Sequence, residues 1–200
     1  DFDERQAALR QAAKDITPAM LTRPADLEQL LRQRPLLGTL FNGGVTVLSA
    51  TGEVLAATPD ALLPKGARLD HDNAVQAALQ RGESSVGSPR LDDNARLPIF
   101  LFVVPLMQPN GETMGALAAT NNLLGESFLN SVTDERYGQG GSFVLVDPAT
   151  RTIVTASDKR RILQSLPAQG SIIEIDRFAT GHEGTAHYTN PAGIEVLSSS

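Results

Sequence analysis

The residue types that carry out acid–base, metal or nucleophilic chemistry are few and scattered in this sequence. The histidines are His71, His182 and His187, and there is no cysteine. His182 and His187 stand five residues apart across a predicted turn, without the glutamate or cysteine spacing of a metal site. Asp92 and Asp93 fall in another predicted turn, where aspartate commonly bonds to the backbone. The sequence therefore predicts no catalytic centre, no metal site and no cofactor.

Composition and charge narrow the range of functions further. The 200 residues carry a formal net charge of −6, which argues against nucleic acid as a partner because phosphates attract basic surfaces. An apolar content of 41% is that of a globular protein. The sequence contains no nucleophile elbow, phosphate loop or dinucleotide fingerprint. The glycines of Gly138–Gly141 lack a preceding strand, and we interpret them as a hinge.

Binding of a small molecule is the better supported prediction, because a small sheet with helices on one side can leave a concave face open. The candidate residues lie on a long apolar strand and its partner, and they are Arg96, Phe100, Phe102, Thr120 and Asn122. Arg96 would pair with an anionic group, and Asn122 would orient a polar one. The alternative is structural, with both phenylalanines in the core and Arg96 exposed in a turn.

Two hairpins and a pair of long strands must position these residues. Val45–Ala57 and Ser142–Ser157 each contain an apolar run, a polar turn and a second apolar run, which is typical of a β-hairpin. Pro98–Met107 is a continuous apolar run and predicts a strand buried on both faces. The turn at Pro109–Gly111 leads to its partner strand, Thr113–Thr120.

Helices are predicted before and between the strands. Phe2–Asp15 and Ala25–Arg34 are amphipathic, and this helical lead-in either packs on the sheet or forms a stalk. Asp72–Arg81 predicts a helix capped by Asp70 or Asp72. The remaining predicted elements are a strand at Ser84–Leu91, helices at Leu123–Tyr137 and Lys159–Leu166, a helical or irregular segment at Ile172–Thr180, and strands at Gly184–Thr189 and Gly193–Ser198.

The two hairpins open what we interpret as one unit used twice. The predicted fold class is α+β, with a long N-terminal helix followed by two tandem modules, each an antiparallel sheet with helices on one side. The predicted boundaries are a helical stalk at 1–38, a first module at 39–122, a connecting helix at 123–137 and a second module at 138–200. Because the second module has no counterpart of Thr113–Thr120, we expect it to be truncated at its C-terminus.

Three passages carry a resemblance to a known family. They are LFNGGVTVLSATGEVLAATPD, RLPIFLFVVPLMQPNGETMGALAAT and GGSFVLVDPATRTIVTASDKRRILQSLP. Together with the helical lead-in they resemble a double Cache sensor domain, in which two PAS-like modules follow a long N-terminal helix. The resemblance covers nearly the whole chain, and its most specific parts are the hydrophobic-Pro-polar-Asn-Gly passage and the Val-Asp-Pro hairpin.

The resemblance implies the periplasmic, ligand-sensing part of a bacterial receptor that is anchored by flanking membrane helices. It implies a small-molecule ligand in the first, membrane-distal module and a homodimer formed through the N-terminal helices. The second module resembles those of sensors coupled to diguanylate cyclase (GGDEF) domains, so control of such a cyclase is the expected output. The ectodomain of a chemoreceptor or of a sensor histidine kinase is one alternative. A protein-interaction module without a small ligand is another.

The resemblance does not identify the ligand. In the amino-acid-binding branch, a tyrosine, an arginine, a Trp-Tyr pair and a later aspartate hold the ligand. This sequence has no tryptophan, and Thr120 stands where that aspartate is expected. An α-amino acid is therefore not specifically predicted, and the ligand class stays open.

Overall fold

The chain forms two compact units, Asp1–Val132 (unit 1) and Thr133–Ser200 (unit 2). The computed structural model describes residues 2–93, 95–130 and 141–200. The helices of unit 1 are α1 (Phe2–Ala13), α2 (Pro18–Leu21), α3 (Pro24–Arg32), α4 (Pro35–Leu40) and α5 (Asn73–Arg81). Its strands are β1 (Val45–Ser49), β2 (Val54–Ala57), β3 (Ser85–Val86), β4 (Arg90–Leu91), β5 (Pro98–Met107) and β6 (Thr113–Asn122).

The strands of unit 1 form one antiparallel sheet in the order β2-β1-β6-β5-β3, with β4 also paired to β5. In the register of the two central strands, Leu101 lies opposite Thr120 and Phe102 lies opposite Ala119. Directly opposite residues point to the same face of a sheet, so this register decides which side chains can meet. Nearly every residue of β5 and β6 is buried, which confirms the prediction of a strand buried on both faces.

The two faces of this sheet have different cores. Helix α5 contacts β5 and β6 on the face that we call the α5 face, where the buried side chains are aliphatic. They include Ile99, Leu101 and Val103, each fully buried. Helix α1 contacts the same strands on the opposite face, the α1 face, where its Phe2 ring packs on Phe102 with the ring centroids 5.5 Å apart.

The ends of helix α5 follow its sequence signals. Asp72 precedes the helix in an extended conformation, and its carboxylate accepts hydrogen bonds from the N–H groups of Ala74 and Val75. Gly82 ends the helix with a φ of 66°, a left-handed conformation that glycine adopts easily. The predicted cap, left open between Asp70 and Asp72, is therefore Asp72.

The helical lead-in is part of unit 1, because α1 packs on the sheet and buries Leu9 completely. Helices α3 and α4 each begin at a proline, Pro24 and Pro35, whose fixed φ suits the first helical turn. The packing of α1 on the sheet is observed, and the assignment of residues 1–38 as a stalk stays a prediction.

Two predicted elements of unit 1 differ from the structure. The predicted strand Ser84–Leu91 is divided into β3 and β4, because Pro89 has no backbone N–H to donate and the register with β5 shifts by one residue between Val86 and Arg90. Residues 123–129 form turns instead of the first part of the predicted connecting helix at 123–137. Its later part lies outside the described residues, as does most of the predicted hinge at Gly138–Gly141.

The turn at residues 123–129 has a local cause. The side-chain amide of Asn42 donates to the backbone oxygens of Asn122 and Glu126, at 3.0 and 2.9 Å. The Asn122 side-chain oxygen in turn accepts from the Leu124 N–H at 3.0 Å. Side chains that bond backbone groups in this way compete with the hydrogen bonds of a helix.

Unit 2 contains two antiparallel hairpins in its described residues. They are β7 (Val144–Asp147) with β8 (Thr152–Ala156), and β9 (Thr185–Thr189) with β10 (Glu195–Ser199), and α6 (Ile173–Ala179) lies between them in sequence. Within these residues the hairpins form two separate two-stranded sheets. The α+β fold class is confirmed, and the truncation of the second module stays a prediction.

The predicted helix at Lys159–Leu166 is a single 3₁₀ turn, Lys159–Arg161. After this turn the chain runs beside β8, where the Leu163 N–H donates to the Ile153 oxygen at 2.9 Å. The Leu166 N–H likewise donates to the Arg151 oxygen at 2.8 Å. These tertiary hydrogen bonds replace those that a longer helix would have formed.

Candidate functional site

An arginine held between two buried carboxylates lies on the α5 face of unit 1. Arg90 is opposite Ile99 in the β4–β5 pairing, so it shares the face of that side chain. Its Nε donates to Asp72 Oδ2 at 3.2 Å, and its Nη1 is 3.6 Å from Asp92 Oδ2. Asp72 and Asp92 are only 5% and 2% exposed. Within the described residues the Nη2 of Arg90 is buried without a hydrogen-bond partner.

Both carboxylates are placed by the backbone. Asp72 uses Oδ1 to cap α5, where the positive end of the helix dipole favours a negative charge, and this leaves Oδ2 for Arg90. Asp92 accepts the Ala95 N–H at 2.7 Å through Oδ1 and presents Oδ2 to Arg90. The arginine is therefore fixed in orientation, and the three side chains together carry a formal charge of −1.

A buried hydroxyl lies on the same face. Thr120 is opposite Leu101 and is fully buried, and its Oγ1 has no hydrogen-bond partner in the described part of the chain. A methyl group added at Gly43 would lie 2.8 Å from Thr120 Cγ2, so glycine allows the backbone to approach this side chain. The next residue, Gly44, has a φ of 82°, and a methyl group added there would clash with the Cα of Ala61 in the loop after β2.

Arg90 and Thr120 flank strand β5 from opposite sides. Because neighbouring strands are about 4.8 Å apart, the two residues are separated by about 10 Å across the sheet. The side chains between them on this face are Ile99 and Leu101, both fully buried. The arrangement places a hydrogen-bond donor on one side of an apolar strip and a hydroxyl on the other. Their separation matches the length of a small molecule.

The structure separates the five residues predicted from sequence. Thr120 is on the α5 face, whereas Phe100 and Phe102 point to the α1 face, where they pack on aromatic rings. Arg96 is exposed in the turn before β5, with a φ of 54°. Asn122 is half-buried at the end of β6, and its side-chain oxygen accepts the Leu124 N–H.

Sequence reasoning missed Arg90, although a signal was present. The residue lies in a predicted strand, and two aspartates, Asp92 and Asp93, follow it after Leu91. Arg96, the arginine predicted from sequence, lies in the turn before β5 instead. The choice between the two arginines depends on Asp72, whose proximity to Arg90 arises only in the folded sheet.

The histidines do not form a metal site in the described residues, which contain no group of three or more potential metal ligands. In unit 2, His182 Nε2 is 2.8 Å from Arg177 Nη2. His187 Nε2 is 3.9 Å from a carboxylate oxygen of Glu195. Over the described ranges, no helix is both long and apolar enough to span a membrane.

No protein-family model matches this sequence, and no curated protein matches it. Solved structures do resemble its fold. The ligand-binding domain of the Pseudomonas fluorescens chemoreceptor CtaA, in complex with L-serine, has a TM-score of 0.68 at 21% identity, covering 98% of this chain and 79% of that one. The ligand-binding domain of the Pseudomonas aeruginosa amino acid chemoreceptor PctB, in complex with L-Gln, has a TM-score of 0.67 at 18% identity, covering 97% and 74%.

A third similar structure is the ligand-binding domain of the P. aeruginosa chemoreceptor PctC in complex with GABA. Its TM-score is 0.67 at 20% identity, and the alignment covers 94% of this chain and 80% of that one. At these identities the likeness concerns the fold. The chain therefore has the α+β fold of the ligand-binding domains of bacterial chemoreceptors.

Proposed function

We propose that this chain is the extracytoplasmic, non-catalytic sensor domain of a bacterial membrane receptor, and that unit 1 binds a small molecule on its α5 face. The observation that carries the proposal is the pair of buried, unpartnered polar groups, Arg90 Nη2 and Thr120 Oγ1, which share that face. Most buried polar groups in proteins have hydrogen-bond partners, so two such groups on one face indicate a place where a ligand supplies them.

The charges around Arg90 favour a neutral or zwitterionic ligand over a polyanion. Asp72 and Asp92 already offset the charge of Arg90, so a second or third negative charge would be repelled by the carboxylates. A ligand oxygen could accept from Nη2 while an amino or hydroxyl group faced Thr120. The ligands in complex with the similar domains, L-serine, L-Gln and GABA, are small zwitterions.

The output of the receptor is a separate proposal. The similar structures belong to chemoreceptors, which favours a chemoreceptor as the full protein. The resemblance of the second module to GGDEF-coupled sensors supports control of a diguanylate cyclase instead, and a sensor histidine kinase is a third output. Membrane anchoring by flanking helices and dimerisation through the N-terminal helices belong to the same proposal. A ligand would act by favouring one of two arrangements of the receptor.

The experiment is a thermal-shift screen with amino acids, carboxylates, polyamines, purines and sugars, followed by calorimetric titration of each hit. A ligand at one hundred times its dissociation constant adds about 2.7 kcal/mol of stability, which is readily seen. Thr120→Val keeps the side-chain shape and removes only the hydroxyl, so we expect it to weaken binding about three- to tenfold. Arg81→Gln changes an exposed arginine at the end of α5 and serves as the matched control.

Variants of the two candidate arginines then locate the site. Arg90→Lys keeps the charge but loses the fixed donor geometry, and we expect it to weaken binding at least tenfold. If Arg96→Gln abolishes binding while Thr120→Val and Arg90→Lys do not, the ligand binds at the turn before β5 as first predicted from sequence. A screen without any stabilising compound would favour the protein-interaction module.

A further inference from the structure

The α1 face of unit 1 contains an unusual concentration of aromatic rings. Five of the seven phenylalanines of the chain form one connected group, the aromatic layer, which consists of Phe2, Phe41, Phe100, Phe102 and Phe128. The rings of Phe2 and Phe128 meet edge to face, with centroids 5.1 Å apart, and those of Phe41 and Phe102 are 5.6 Å apart. These spacings are those of favourable aromatic pairs.

Arg5 inserts its charge into this layer. Its guanidinium carbon is 3.9 Å from the Phe128 ring centroid and 5.9 Å from that of Phe41, which is the geometry of a cation–π contact. Burial lowers the pKa of Arg5 and the neighbouring Glu4 raises it, yet a guanidinium stays protonated in proteins. In the described ranges the Nε and Nη1 of Arg5 are buried without an acceptor.

Asn121 adds two more polar atoms to the same face. It lies opposite Phe100 in the β5–β6 pairing, so its side chain points to the aromatic layer. It is 1% exposed, and neither Oδ1 nor Nδ2 has a hydrogen-bond partner within the described residues. A buried amide without partners costs about 1–3 kcal/mol for each unpaired group. An arginine with two unpaired nitrogens and an amide without any partner therefore both lie against the aromatic layer.

We propose that Arg5 and Asn121 form a second binding site, separate from the α5 face, for a small hydroxycarboxylic acid with an aromatic or apolar substituent. The carboxylate would accept hydrogen bonds from the guanidinium of Arg5 and from Asn121 Nδ2, and the single charge would balance that of Arg5. The hydroxyl group would donate to Asn121 Oδ1, which needs a donor. The substituent would pack on the phenylalanine rings. Phe2 is 39% exposed, so the ligand would reach the site from solvent alongside this ring.

The aromatic layer also distinguishes this site from the one around Arg90. On the α5 face two carboxylates surround the arginine, so an anionic ligand is repelled there. On the α1 face the rings neutralise no charge, because a cation–π contact leaves the formal charge of Arg5 in place. A ligand with a single negative charge is therefore expected to bind on the α1 face and not on the α5 face.

The experiment titrates the whole chain calorimetrically with 3-phenyllactate, 3-phenylpropionate and 3-phenyllactamide. The second compound lacks the hydroxyl and the third lacks the charge. We expect saturable binding of 3-phenyllactate, about tenfold weaker binding of 3-phenylpropionate and no measurable binding of the amide. Equal binding of all three compounds, or no saturable binding of 3-phenyllactate in the millimolar range, would overturn the proposal.

Variants of single residues test where 3-phenyllactate binds. Arg5→Met should weaken 3-phenyllactate binding at least tenfold, whereas Arg10→Met, on the same helix but exposed and bonded to Gln6 and Ser84, should leave it within twofold. Asn121→Leu should remove the preference for 3-phenyllactate over 3-phenylpropionate, a change that general loss of structure would not produce. Loss of binding in Thr120→Val, with Arg5→Met unaffected, would assign the compound to the α5 face and refute a site at Arg5.

Discussion

The two faces of the unit 1 sheet each carry a partly buried arginine, and they accommodate it in different ways. On the α5 face the core is aliphatic, and Arg90 lies between the carboxylates of Asp72 and Asp92. On the α1 face the core is aromatic, and Arg5 lies over phenylalanine rings with its Nε and Nη1 unpartnered in the described residues. Carboxylates fix the direction of each N–H group, whereas rings hold the charge and leave the N–H groups unpaired.

This difference has its origin in the alternation of strand β5. Its residues Ile99, Leu101 and Val103 point to the α5 face, and Phe100 and Phe102 point to the other. Successive residues of a strand point to opposite faces, so a single apolar run supplies two different cores. The polar residues of β6 are divided in the same way, with Thr120 on one face and Asn121 on the other.

The largest expected effects test whether both faces are rigid cores. Phe102→Ala should lower the free energy of unfolding by about 3–5 kcal/mol, and Leu101→Ala by about 2–5 kcal/mol, because both residues are fully buried. Urea unfolding followed by circular dichroism measures both. A loss below about 1 kcal/mol for Phe102→Ala would mean that the aromatic layer collapses around the cavity and is not rigidly packed.

The next effect tests the comparison of the arginines directly. Arg90→Met removes the cation that two buried carboxylates share, so we expect a loss of about 3 kcal/mol, at the lower end of the range for a broken buried ion pair. Arg5→Met leaves no buried charge behind and should change stability by less than about 1 kcal/mol. The double variant Arg90→Met/Asp72→Asn should be less damaging than the sum of its single changes. Equal losses for the two methionine variants would show that rings hold Arg5 as strongly as carboxylates hold Arg90.

Smaller effects are expected at the two adjacent unpartnered residues of β6. Thr120→Val and Asn121→Leu replace buried polar atoms by apolar ones of similar shape, so neither should lower stability, and gains of up to about 2 kcal/mol are expected. Thermal unfolding without ligand provides the measurement. A clear loss in either variant would reveal a hydrogen bond that the side chain forms in solution.

The smallest effect is expected at a third arginine, Arg151 of unit 2, which forms an ion pair with the less deeply buried Asp176. The pKa of Asp176 lies below its ordinary value because the Gly170 N–H donates to it and because Arg151 donates to its other oxygen, each at 2.7 Å. A lowered folded pKa stabilises the protein above the unfolded pKa of about 4, and the effect is lost as the pH falls through the folded pKa.

Asp176→Asn should therefore be slightly less stable than the wild type at pH 7, and the difference should shrink below about pH 4. Thermal unfolding at pH 7 and pH 3 measures it. Arg151→Met removes the ion pair but keeps the Gly170 hydrogen bond, so it should retain part of the pH dependence. A difference that is independent of pH would indicate that this carboxylate contributes through packing alone.

Local sequence signals were sufficient for many elements. The continuous apolar run at Pro98–Met107 and the glycine turn after it predicted β5 and β6, and the Asp72 cap and Gly82 predicted the ends of α5. These signals act within a few residues. The predicted connecting helix at 123–137 failed over its first part because Asn42, about eighty residues earlier, bonds the backbone there.

The candidate site was predicted only in part, and the reason is one irregularity in the sheet. Near the turn Met107 pairs with Thr113, but Leu106 pairs with Gly115, so Met114 is an extra residue in β6. Without this bulge, Phe100 would lie opposite Thr120. A shift of one residue moves every side chain of a strand to the other face.

The sequence by itself therefore determined the strands, the helix ends and the mixed α+β class, because hydrophobic periodicity, glycine and capping residues act locally. The tertiary structure alone decided which side chains share a face. The bulge at Met114 set the register that separates Phe100 and Phe102 from Thr120, and the sheet brought Arg90 to Asp72. Register and long-range pairing arise from the packing of distant segments, so no short pattern in the sequence encodes them.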